Sequence, residues 1–106
     1  MNIEFKMCGI FGTFGFSDKN LMQKMSKSLL HRGPDEKGFF FDKNVALGNN
    51  RLSIVDLKKG KQPMFNENES LVIVANCEIY NYKELKIKLK KKGHTFYTNS
   101  DTEVII

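Results

Sequence analysis

No run of apolar residues in this chain extends beyond residues 71–75, far short of the length needed to cross a bilayer. The opening Met1-Asn2-Ile3-Glu4-Phe5-Lys6 lacks the apolar core of a signal peptide, so the expected compartment is the cytoplasm. Cys8 and Cys77 are the two cysteines, too few for a disulfide framework and without metal-ligand spacing. Arginine is equally scarce: Arg32 and Arg51 stand alone among 17 basic residues, the others being lysine. Phosphate and base recognition lean on arginine's planar fork, so the net charge of +5 does not point to nucleic acid. Six lysines fall between positions 83 and 92, where they read as the solvated face of an amphipathic helix. Neither internal repeats nor a low-complexity linker divides the 106 residues, a length for one domain at most. With 41% hydrophobic and 11% aromatic residues, the composition is that of a water-soluble globular chain.

Residues 8–16 alternate small and apolar side chains around three glycines and read as a strand that backbone or ligand approaches closely. Ser17-Asp18 opens a helix with Leu21, Met22, Met25, Leu29 and Leu30 at helical spacing, stopped by Gly33-Pro34. Residues 38–42 and 45–48 read as a hairpin bent at Asp42-Lys43-Asn44. Residues 51–57 read as a short extended segment, 58–70 as a polar loop and 71–75 as a buried strand. Asn81 with Glu84 reads as a capping box for a second helix, with Tyr82, Leu85 and Leu89 as its stripe and Gly93 as its end. Residues 95–98 read as a further strand. Ser100-Asp101-Thr102-Glu103 is a second capping box, followed at once by Val104-Ile105-Ile106. A helix of one turn is not stable alone, so the expectation is a truncated piece of a larger domain.

Six short motifs occur in order: Met7-Cys8-Gly9-Ile10-Phe11-Gly12; His31-Arg32-Gly33-Pro34-Asp35-Glu36 with Gly38; Asn50-Arg51-Leu52-Ser53-Ile54-Val55-Asp56; Gln62-Pro63-Met64; Asn76-Cys77-Glu78-Ile79-Tyr80-Asn81; and Ser100-Asp101-Thr102-Glu103-Val104. Together they closely resemble the N-terminal glutaminase domain of glutamine-hydrolysing asparagine synthetases. Those are class II glutamine amidotransferases of the N-terminal-nucleophile hydrolase superfamily. The resemblance runs from residue 7 to residue 106. It implies an α+β fold, here the first part of a four-layer αββα sandwich, with exposed apolar faces where further strands belong. Residues 1–7 are expected to be an extension or removable start, and residues 8–106 the N-terminal part of the glutaminase domain, with the synthetase domain absent.

The chemistry can be assigned residue by residue. Amide hydrolysis needs a nucleophile, a base and donors for the developing oxyanion. Alone, Cys8 would read as a small buried hydrophobe; within Met-Cys-Gly-Ile it matches the family's nucleophile. A cysteine thiol titrates at about 8.5 and needs activation, and a terminal α-amine at about 7.7–8.0 is a base within reach of its own sulfur. By the same resemblance Arg51 takes the α-carboxylate of glutamine as a bidentate fork. Glu78 and Asp101 take its α-ammonium, and Leu52 and Ile54 line the substrate position. Asn76, through its side-chain amide, and Cys77, through its backbone N–H, form the oxyanion site. His31 and Arg32 shape the site without a chemical role, and Gln62-Pro63-Met64 is a family marker to which no chemistry attaches.

Two features depart from the pattern. Translation from Met1 acylates the Cys8 amine, so activity requires a start at Met7 or removal of the leader. The family has glycine where this chain has Cys77; a side chain there in an unfavourable backbone region costs about 1–3 kcal/mol, and losing one oxyanion donor costs about a hundredfold in rate. Cys77 is also expected beside Cys8, close enough to form a redox-sensitive bond. The parent reaction implied is glutamine-dependent asparagine synthesis: glutamine is hydrolysed through a cysteine thioester, and ammonia passes to a domain that activates aspartate with ATP and Mg²⁺. No cofactor is expected in this segment. The partners are glutamine and the synthetase domain or a complementing chain, with a homodimeric parent among the options; neither nucleic acid nor membrane is one. The alternatives are the same cassette serving another acceptor, or a silent fragment of a split gene.

Overall fold

The computed structural model describes residues 8–33, 35–51 and 60–106. The resulting unit is α+β. Strands β1 (Gly9–Phe14), β2 (Glu36–Phe41) and β3 (Val45–Arg51) form an antiparallel sheet in the order β1-β3-β2. Its register pairs Gly9 with Asn50 and Phe14 with Val45 on one side, and Glu36 with Arg51 and Phe41 with Ala46 on the other. The hairpin between β2 and β3 turns where the Asp42-Lys43-Asn44 signal lies, with Asp42 Oδ1 accepting from the Lys43 backbone N–H at 2.7 Å.

Helix α1 (Lys19–Ser28) is opened by Asp18, whose extended backbone frees Oδ1 to accept from the Leu21 N–H at 3.0 Å. It ends at Ser28, short of Gly33-Pro34, with Leu29 in a turn conformation, so His31 lies beyond the helix rather than on its last turn. The helix covers one face of the sheet: the fully buried Met22 and Ser26 point inward, and Gly9 leaves room for Leu29. On that face Phe39 stacks on Phe41 and meets Phe11 edge-on.

The opposite face is only partly covered. A second sheet, β4 (Met64–Phe65) with β5 (Val72–Ile73), pairs Met64 with Ile73 and touches the first where Phe65 meets Phe40 edge-on at 5.8 Å. Strand alternation puts Ile10 and Phe14 on this face beyond its reach, and they stand 46% and 89% exposed. Gly38 sits where the chain returns: a Cβ there would run into the Gln62 carbonyl. The Gln62–Pro63 peptide bond is cis.

Helix α2 (Tyr82–Lys91) packs against a 3-10 helix, Asp101–Ile105. Gly93, at φ 97°, lets the chain close the end of α2 with bonds from Gly93 N to Lys90 O and from His94 N to Leu89 O, the Schellman arrangement. Lys86 leaves the solvated lysine row to donate to Thr98 O at 2.8 Å and to lie over the Phe96 ring.

Several expectations give way here. Residues 71–75 form a strand only at Val72–Ile73, half-buried, with Leu71 57% exposed, because β4 is the one strand it pairs with among the described residues. Met64–Phe65, expected inside a polar loop, is that partner strand. Asn81 precedes α2 but makes no side-chain capping bond. Residues 95–98 are not a strand: Glu103 accepts from the Tyr97 and Thr98 N–H groups at 2.8 and 2.9 Å, taking donors a ladder would have used. The second capping box is therefore not formed as such; Ser100 Oγ accepts from Thr102 N, while Glu103 serves the preceding loop. Beyond Ser100 the chain winds into a 3-10 helix rather than the expected α-turn. Of residues 51–57, read as extended, Arg51 closes β3 and the rest lie outside the described residues.

Candidate functional site

Two groups of the expected residues sit in two different settings. One occupies an end of the three-stranded sheet. One step beyond the Gly9–Asn50 pair, the adjoining strand ends carry Cys8 and Arg51, and Arg51 is in turn paired with Glu36. Cys8 is half-buried, and its carbonyl accepts from Arg32 Nε at 3.3 Å. Arg51 is buried at 6% exposure, with Nη1 on Glu36 Oε2 at 3.0 Å. Lys61 meets the other Glu36 oxygen at 3.4 Å, and the Arg51 carbonyl accepts from Asp35 N. A buried guanidinium is tolerable only with such a partner.

The rows behind Arg51 are polar and buried. Asn50, fully buried, accepts from Ser26 Oγ at 2.6 Å and donates to the Ser26 carbonyl. Asn49, 1% exposed, donates to Gln62 Oε1 at 3.3 Å. Among the described residues no buried side-chain nitrogen or oxygen lacks a partner.

The second group is the stretch after β5. Asn76, Cys77 and Glu78 are exposed. Asp101 Oδ2 accepts from the Ile79 N–H at 2.8 Å, so the residue expected to hold an ammonium also holds this loop. Cys77 Sγ lies 3.9 Å from Thr102 Oγ1. The nearby Glu78 carboxylate, as an acceptor and by its charge, raises the Tyr80 phenol above its usual range.

Cys77 brings two corrections. Glu69 is the one non-glycine residue with positive φ among the described residues, so Cys77 occupies ordinary backbone and carries none of the strain expected of a glycine replacement. No disulfide joins Cys77 to Cys8, so the redox-sensitive bond considered for the pair is not formed in this structure. Leu52 and Ile54 lie outside the described residues. Sequence reasoning attached no chemistry to Gln62 and gave Arg32 only a shaping part; the structure puts Gln62 between the two groups and Arg32 on the Cys8 carbonyl. The recurring Gln62-Pro63-Met64 motif was the available signal for the first.

A hollow lies elsewhere, between Phe65, Leu89, Tyr97, Val104 and Ile106, and shares none of the expected catalytic residues. No group of three or more His, Cys, Asp and Glu among the described residues is placed to hold a metal ion. Nor is any helix there long and apolar enough to cross a membrane.

The glutamine amidotransferase domain model matches residues 7–106. The chain belongs to the glutamine amidotransferase family. This amidotransferase chain is 44% identical over 107 aligned positions to asparagine synthetase [glutamine-hydrolyzing] 1 of Bacillus subtilis, covering 94% of the chain and 17% of the relative. It is 44% identical over 104 positions to asparagine synthetase [glutamine-hydrolyzing] 2 of Oryza sativa subsp. japonica, and 41% to asparagine synthetase [glutamine-hydrolyzing] 1 of Arabidopsis thaliana, covering 93% of the chain in each case. The chain thus spans 17% and 18% of the length of these plant relatives. The amidotransferase model begins one residue before Cys8, so the six residues ahead of Met7 fall outside the family match.

Proposed function

We propose that this amidotransferase domain is the glutaminase part of a glutamine-dependent asparagine synthetase, and that Cys8 is its nucleophile. In this reading residues 1–7 are absent from the working protein, so that Cys8 ends the chain and its α-amine takes the thiol proton. The thiolate attacks the side-chain carbonyl carbon of glutamine. Negative charge gathers on the amide oxygen, facing the Asn76 side-chain N–H and the Cys77 backbone N–H. The C–N bond then breaks, ammonia leaves with the proton held by the α-amine, and water hydrolyses the glutamyl thioester to glutamate. Atoms balance as glutamine plus water giving glutamate plus ammonia. Arg51 holds the α-carboxylate, Glu78 and Asp101 the α-ammonium, and Leu52 and Ile54 the chain between. In the asparagine-forming step, ATP and Mg²⁺ serve the synthetase domain of the whole protein; no residue of this chain is assigned to them. The complete domain is proposed to be the four-layer αββα sandwich, in a cytoplasmic enzyme.

The observation that carries this reading is the sheet register, which brings Cys8 and the buried Arg51 onto neighbouring strand ends. Substrate held by its carboxylate at Arg51 then presents its amide within the same part of the molecule as the sulfur, and such positioning is what converts binding into rate. Glutamate release from a chain beginning at Cys8 tests it. Cys8→Ala is expected to lower release by at least about a thousandfold, and an intact leader to do the same. Release that persists undiminished in Cys8→Ala would end this reading.

A further inference from the structure

We infer that Gln62 is a positioning residue for the oxyanion donors, a role resting on the glutaminase reading above. A carboxamide oxygen accepts two hydrogen bonds, and Gln62 Oε1 has both: Asn49 Nδ2 at 3.3 Å and the Ala75 N–H at 2.7 Å. Asn49 lies in the interior of β3, two residues before Arg51 and on the same face of the sheet. Ala75 directly precedes Asn76. One oxygen therefore joins the strand that carries the carboxylate fork to the backbone that carries the oxyanion donors.

The join is needed because β5 ends at Ile73, leaving the Ala75 N–H without a ladder partner, and a backbone donor needs an acceptor from somewhere. The side chain that supplies it is itself fixed. The Gln62 carbonyl lies against β2 where Gly38 has no Cβ. Beyond Ala75 the chain is exposed through Glu78; the Cys77 side chain meets Thr102 Oγ1 at 3.9 Å, and the next bond to the backbone is that of Asp101 to Ile79 N. The backbone of Asn76 and Cys77 thus runs between two side-chain acceptors, Gln62 upstream and Asp101 downstream. Donors aimed at charge that exists only in the transition state raise kcat without tightening substrate. Loss of the upstream hold lowers kcat and leaves KM in place.

Two readouts test this. In the glutamate-release assay, Gln62→Leu is expected to lower kcat roughly ten- to a hundredfold with KM within about twofold. Gln62→Glu, which keeps an acceptor oxygen at the same reach, is expected to recover to within about threefold of the parent. An unchanged kcat, a loss carried by KM, or failure of Gln62→Glu to recover would overturn the role. Amide exchange on the full chain, with no turnover involved, is the second readout. Gln62→Leu should lose protection at Ala75 while amides of β1 and α1 keep theirs; retained protection at Ala75 would overturn the proposal. Should Gln62→Leu not fold, Gln62→Asn, one methylene too short to reach both donors, is expected to behave the same way. If the parent chain releases no glutamate, the glutaminase reading fails and exchange at Ala75 alone decides whether Gln62 holds this backbone.

Discussion

Residues 49–51 and residues 76–78 carry complementary parts of the candidate chemistry, yet the first three are at most 6% exposed and the second three are all exposed. The first group is fixed by backbone pairing on both sides of β3 and by side-chain bonds into α1 and Glu36. The second is held by single acceptors on its flanking residues, Gln62 on Ala75 and Asp101 on Ile79, and by the Cys77 contact with Thr102. The substrate carboxylate is thus assigned to the sheet end, and its ammonium and the developing oxyanion charge to a loop whose geometry depends on a few distant side chains. Substitutions in the first group should act on folding, and those in the second on catalysis.

The largest effect is expected within the sheet end. Asn50→Ala strips the buried Ser26 hydroxyl of its acceptor and the Ser26 carbonyl of one of its two donors, the Leu29 N–H remaining, which costs about 2 kcal/mol. Urea unfolding should show this as a lower midpoint at unchanged slope, and a loss below about 1 kcal/mol would break the contrast between the two regions. Asp101→Asn keeps an oxygen for the Ile79 N–H but removes the charge. KM for glutamine should rise roughly tenfold, equivalent to about 1.4 kcal/mol, with melting nearly unchanged; a KM that stays put would limit Asp101 to holding the loop. Cys77→Gly is expected to change kcat by less than about threefold, a fraction of 1 kcal/mol, because ordinary backbone at Cys77 leaves no strain to relieve. A tenfold gain would restore the strain account.

The smallest effect concerns Glu67. Its carboxyl is held below its ordinary 4.5 by its own backbone N–H and then by His94, whose Nδ1 lies 2.7 Å away. A depressed carboxylate adds stability above its unfolded pKa and loses it as pH falls through the folded value. The parent chain should therefore melt slightly above Glu67→Gln at neutral pH, and the gap should close in acid. A gap that persists or widens in acid would assign the contact to something other than the carboxylate charge.

Much of the first region was legible because its signals are local. Asp18 caps α1, the Asp42-Lys43-Asn44 bend joins β2 to β3, and alternation across residues 8–16 marks β1. The second region is less so because its partners are remote in sequence. Nothing near Ala75 announces Gln62, thirteen residues earlier, and nothing near Ile79 announces Asp101, twenty-two residues later. Likewise Met64–Phe65 is a strand only because Val72–Ile73 lies beside it. The candidate residues themselves were read from ordered motifs, which named Cys8, Arg51, Asn76, Cys77, Glu78 and Asp101 without saying how each is held. The strain assigned to Cys77 came from residue type alone, and backbone geometry removes it.

The central claim is that Cys8, and not the more exposed Cys77, forms the covalent bond with substrate. Rapid quenching of the chain beginning at Cys8 with glutamine, followed by peptide mass mapping, measures this directly. The account predicts a glutamyl adduct on the Cys8 peptide that is absent when the leader is retained. A glutamyl adduct on Cys77, or glutamate released with neither cysteine modified, would contradict it.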